Sequence, residues 1–116
     1  MASQLTLNLV QGSVQFSFSV AAAQELKATL VSLTQTLKTS AAATVGAARP
    51  KPVKPIEYRH TGDVFLEIFC NPNIWPSPFA AKLLVTVRDD RIRLTTEAEL
   101  TRIIEDVNLY LESNEA

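Results

Sequence analysis

One cysteine, Cys70, and one histidine, His60, stand among the 116 residues. A lone thiol excludes an internal disulfide and points to a reducing compartment. One His and one Cys among scattered carboxylates match no zinc-ligand spacing. The three glycines form no phosphate-cradling loop, and there is neither a nucleophile elbow nor a zincin pattern. No apolar run approaches the roughly 18–20 residues that span a bilayer. The opening MASQLTLNLV has neither the basic segment nor the continuous apolar stretch of a signal peptide. A cytoplasmic chain with no cofactor, no metal and no transmembrane segment is therefore expected.

What is present fits a single domain covering residues 1–116. Hydrophobic residues make up 47% and the net charge is only −1, too apolar and too neutral for a wholly disordered chain. That small total conceals a split. Residues 1–55 carry five basic residues against one acid, a net of +4, while residues 56–116 carry six against eleven, a net of −5. Six of those acids fall in residues 97–116, beside the single cation Arg102. The placement of charge matters more to a partner than its sum.

Residues 4–10 and 13–20 alternate apolar and polar with period two about Gln11-Gly12, which predicts a β-hairpin. From Ala21 the period becomes helical: Leu26, Leu30, Leu33 and Leu37 share one stripe, predicting a helix over 21–39. Residues 40–55, rich in Ala and Pro and basic toward their end, read as a connector within the domain, extended where prolines recur. A second hairpin is expected from 56–60 with 64–70. A third joins 82–88 to 91–95, with Val85, Val87, Ile92 and Leu94 facing inward and Thr86, Arg88, Arg91 and Arg93 outward. Thr96 and Glu99 match a capping box, so a last helix is predicted over 97–112 with Leu100, Ile103, Ile104, Val107, Tyr110 and Leu111 as its stripe. The expected fold is α+β, in the order ββα-linker-ββββα: an antiparallel sheet of four to six strands with two helices packed on one face. Hairpin followed by helix occurs twice with little residue identity, which favours recurrence of a common unit over the alternative of an internal duplication.

Three chemistries compete for the side chains. An enzyme would need Cys70 activated by His60, but these residues end opposite strands of one hairpin and are expected a hairpin's length apart. A nucleic-acid module would use the basic 82–93 hairpin, with Lys82, Arg88, Arg91 and Arg93 outward and Arg59 on a neighbouring strand. It would also want open aromatics for stacking. Phe16 and Phe18 belong to the core; Phe65 and Phe69 are candidates for the open face, but Glu67 shares their parity. A solvated charged face accounts for those basics better, being the ordinary way to keep a sheet soluble. In the connector, Arg49, Pro52 and Pro55 fit a loose SH3-ligand spacing, although a basic spacer explains the composition more simply.

The loop NPNIWPSPF, residues 71–79, combines three prolines with Ile74, Trp75 and Phe79. Such apolar area in a connection either docks on the core or on another protein. Trp75 is assigned more to the core, Ile74 and Phe79 more to presentation. The stretch FLEIFCNPNIWPSPFAAKLLVTVRDDRIRLTTEAELTRIIEDVNLYLE, with the strand before it (residues 56–112 in all), resembles small proteins of cyanobacteria and related plastid lineages. That resemblance implies a cytosolic or stromal setting near the photosynthetic machinery, and it brings no activity or site residue with it. The expectation is a non-catalytic protein-binding module, an assembly factor, adaptor or accessory subunit. Its anchors are Ile74, Trp75 and Phe79, and Arg88, Arg91 and Arg93 orient the partner. A nucleic-acid module and a small homo-oligomeric structural protein are the alternatives.

Overall fold

Alternation in the first residues produces two short paired strands, β1 (Gln4–Asn8) and β2 (Ser13–Ser17), in the computed structural model, which describes residues 4–43 and 54–114. Gly12 turns between them at φ +87°, a conformation that L side chains resist. Leu5, Leu7, Phe16 and Phe18 enter the core. Ser19 then caps α1 (Val20–Ala43): its Oγ accepts from the Ala22 amide at 3.1 Å, satisfying one of the helix's orphan donors. Ala22, Ala23, Leu26, Leu30, Leu33 and Leu37 form the buried stripe, as their spacing predicts.

Helix α1 runs through Ala43, so 40–43 are helical rather than connector; the Ser-Ala-Ala-Ala run has ample helix preference and no proline to stop it. The rest of the connector through Val53, including Arg49 and Pro52, lies outside the described residues. Four strands follow as a sequential antiparallel meander: β3 (Ile56–His60), β4 (Phe65–Cys70), β5 (Lys82–Arg88) and β6 (Arg93–Glu99). A single 3-10 turn, Pro72–Ile74, lies between β4 and β5. The chain closes with α2 (Leu100–Asn114). The fold is thus α+β in the expected order, its six strands divided into a four-stranded sheet and a separate two-stranded hairpin.

Two expectations need correction. Thr96 and Glu99 form no capping box, because both lie in β6, whose pairing with β5 continues to Lys82↔Glu99 before the Leu100 amide donates to the Ala81 carbonyl at 3.1 Å. Arg91 and Ile92 lie in the turn before β6. The Asp89 carboxylate accepts both their amides, at 2.8 and 2.9 Å, which removes them from the ladder. Those two bonds also hold the Asp89 carboxyl below its usual range. Ile92, expected inside, is 64% exposed.

The helices cover one face of the four-stranded sheet. Tyr58, Leu66, Ile68, Cys70, Leu83, Val85, Val87 and Ala98 point into that layer and join the helix stripes in one buried cluster. Directed bonds fix the arrangement. Tyr58 donates through its hydroxyl to the Ala22 carbonyl at 3.1 Å, tying β3 to α1. Tyr110 donates to the Phe18 carbonyl, tying α2 to the residue after β2. Asp106 accepts from the Asn8 amide at 2.7 Å and from Asn8 Nδ2 at 2.9 Å, so α2 also clasps β1. The Val10 amide donates to the Glu97 carbonyl at 3.1 Å, pinning the end of that hairpin to β6.

Candidate functional site

The opposite face of the four-stranded sheet carries no helix. Strand register places its outward side chains in rows that run across the sheet. Phe65, Arg88 and Arg93 form the row nearest the β5–β6 turn. Arg59, Glu67, Thr86 and Thr95 form the next. Glu57, Phe69, Leu84 and Glu97 form the third, and Lys82 with Glu99 the last. Successive rows are about 7 Å apart, two residues of extended strand.

The row of Phe69 and Leu84 is the apolar part of this face. The loop after β4 folds up beside it, and together they enclose a groove of about 310 Å³ lined by Phe69, Asn71, Ile74, Trp75, Leu84 and Glu97. Pro72 and Pro78 are buried and hold the loop, and the Ser77 hydroxyl accepts from the Ala80 amide at 3.3 Å. Ile74 is 64%, Leu84 42% and Phe79 83% exposed, whereas Trp75 is half-buried against the core. The loop therefore divides as its composition suggests: Trp75 anchors, Ile74 and Phe79 are presented. Leu84 is not among the sequence-derived candidates, and Phe69 enters there only as an open-face aromatic for base stacking. Leu84 had a readable signal, because the inward parity of Val85 and Val87 turns its neighbour Leu84 outward.

Arg88 and Arg93 do share the open face, directly opposite each other. The Arg88 guanidinium lies 4.3 Å from the Phe65 ring centroid, a cation–π contact that covers the aromatic surface a base would stack on. Arg91 stays apart in the exposed turn. Nearer β3, Arg59 is occupied internally, at 2.7 Å from Glu67 and 3.5 Å from Glu57, and Glu67 holds the guanidinium's proton more tightly than usual.

The structure does not bring His60 and Cys70 together. In the β3–β4 register Cys70 faces Ile56 while His60 faces Leu66, about 13 Å along the strands. His60 packs edge-on against Phe18, ring centroids 5.0 Å apart. Cys70 is fully buried. Burial pushes its thiol from 9.0 up to about 11, with the hydrogen bond from Trp75 partly offsetting the rise. A thiol so held is the opposite of an activated nucleophile. No three His, Cys, Asp or Glu side chains gather at metal-binding range among the described residues, and no described helix is long and apolar enough to cross a membrane.

A pH dependence follows from Cys70 and Tyr58. Burial, with the Glu25 charge adding to it, pushes the Tyr58 hydroxyl from 10.0 up to about 12. Both groups hold their protons more tightly folded than unfolded, so stability from them is full below pH 9 and is lost as pH rises through about 11 and 12. Urea midpoints measured from pH 8 upward should fall across that window, and Tyr58→Phe should flatten its upper part. An unchanged slope in that variant would contradict the assignment.

Comparisons with known proteins bring no name to this face: no family model, curated protein or solved structure matches the chain.

Proposed function

We propose that the chain is a non-catalytic protein-binding module, an accessory or assembly factor that receives another protein on the open face of its four-stranded sheet. One observation carries this reading. Phe69, Leu84, Ile74 and Trp75 line a groove at the end of the sheet beside the β4–β5 loop, reaching down to Cys70 and Leu83, with Ile74 and Leu84 left in water. An uncovered apolar site rimmed by charge is a common form of interaction surface. The charged rim (Glu57, Glu97 and Lys82, with Arg88 and Arg93 beyond) would set orientation more than affinity. Protein is favoured over nucleic acid as the partner because Arg88 occupies the Phe65 ring and Glu57 and Glu97 flank Phe69 and Leu84 in their row. The likeness of residues 56–112 to small cyanobacterial and plastid proteins directs the search for that partner to photosynthesis-related complexes of the cytoplasm or stroma.

Ile74→Ser and Leu84→Ser test the reading. Each should weaken capture of the partner by about tenfold, the typical cost of truncating an interface anchor, while thermal melts stay within a degree or two of the parent chain. Undiminished capture by the double variant would remove the groove from consideration.

A further inference from the structure

We infer that the occupant of the open face is a second copy of this chain, packed sheet on sheet about a two-fold axis that crosses the strands at the Thr86–Thr95 row. This rests on the docking reading above and names its partner. A two-fold interface must be complementary to itself, and the distribution of charge on this face has that property. Its outward rows hold four cations, Arg59, Lys82, Arg88 and Arg93, and four anions, Glu57, Glu67, Glu97 and Glu99. They are not mixed evenly. The Phe65–Arg88–Arg93 row is purely cationic and the Glu57–Phe69–Leu84–Glu97 row purely anionic, with the Thr86–Thr95 row midway between.

Two arginines directly opposite in a ladder are unfavourable without an anion to share. Arg88 and Arg93 have no ion-pair partner among the described residues, and neither has Glu97. Rotation about the middle row brings the Arg88–Arg93 row of one copy over the Leu84–Glu97 row of the other, twice. Arg93 meets the second copy's Glu97, and Phe65 comes over Phe69, the floor of the groove. The axis follows the Arg59–Glu67–Thr86–Thr95 row. On β5 and β6 it meets small side chains, the buried Thr86 and the exposed Thr95, whose hydroxyls lie 3.3 Å apart and engage each other. That leaves room for the roughly 10 Å separation of packed sheets. On β3 and β4 the axis meets Arg59 and Glu67, which stand over their own counterparts in the second copy but are already ion-paired within each chain at 2.7 Å, so that they add no net charge to the pairing.

Charge reversal tests both the face and the register. In sedimentation velocity the full chain should run as a dimer that weakens with salt. Arg93→Glu and Glu97→Arg should each weaken self-association tenfold or more, because each sets like charges opposite one another at both symmetric contacts. An equimolar mixture of these two variants should recover the dimer, since every contact in the mixed pair again joins opposite charges. Misfolded variants could not show that recovery. Three results would overturn the proposal: a parent chain that stays monomeric at several hundred micromolar, a dimer indifferent to both reversals, or a mixture that stays monomeric. The docking reading fails separately. A monomeric chain whose capture of a different protein still depends on Ile74 and Leu84 loses only the self-pairing. A monomeric chain whose capture ignores them loses both.

Discussion

Asp106→Ala should lower the free energy of unfolding by about 3 kcal/mol, because it strips two charge-assisted bonds from Asn8 together with the buried carboxylate that holds them. Asp106 is buried on α2, and its two oxygens are spoken for by the Asn8 amide and the Asn8 side chain. Arg102, one helical turn back, lies 3.7 Å from Oδ1. Removing the carboxylate leaves a partly buried backbone donor and an amide without their acceptor, and it unfastens β1 from α2. Asn8→Ala removes only the side-chain bond and should cost about 1 kcal/mol. Denaturant titration of both variants and of the double variant gives the coupling. Amide hydrogen exchange at Asn8 should accelerate selectively in Asp106→Ala if the first hairpin opens as a unit. An Asp106→Ala protein within 0.5 kcal/mol of the parent would show that the clasp contributes nothing.

Trp75→Ala comes next in size, at about 2–3 kcal/mol, below the full cost of a wholly buried Trp because the side chain is only partly buried. The indole packs against the core and bonds Cys70, whose thiol it helps to cover. Two measurements should therefore move together: the denaturation midpoint falls, and Cys70 reacts faster with a thiol reagent under native conditions. Ile74→Ser, one residue away but exposed, should change neither by a comparable amount. If Trp75→Ala kept full stability while abolishing capture, Trp75 would belong to the interface alone.

Period and parity made most of the architecture legible. Alternation located five of the six strands near their true limits, and the Leu26–Leu37 stripe located α1. Where the reading failed, non-local pairing overrode a local signal. Thr96-Glu97-Ala98-Glu99 satisfies a helix start on paper, and Ala and Glu favour helix. The same four residues have Lys82 to Val85 opposite them in β5, and completing that ladder delays the helix to Leu100. Likewise Asp89 diverts the amides of Arg91 and Ile92, which alternation alone does not reveal. For the candidate site, the loop anchors were visible as composition and Phe69 by its parity with Glu67, but nothing in the sequence set the loop beside Phe69. Asp106 left one unread trace. It sits three residues after Ile103 and four before Tyr110, on the flank of an apolar stripe, where an acid calls for a partner.

The clasp between Asn8 and Asp106 joins residues 98 positions apart, and this separation bears on the order of events during synthesis. At about 5–20 residues per second, the first hairpin waits roughly 5–20 s for the helix that receives it. During that interval Leu5, Leu7, Phe16 and Phe18 lack the cover that α2 supplies, and a two-stranded ribbon is not stable alone. The meander β3–β6, built from neighbouring segments, can assemble earlier because its loops are short to close. The β1–β2 hairpin is thus made well before the helix that covers it, which makes it a segment for a chaperone to shield in that interval.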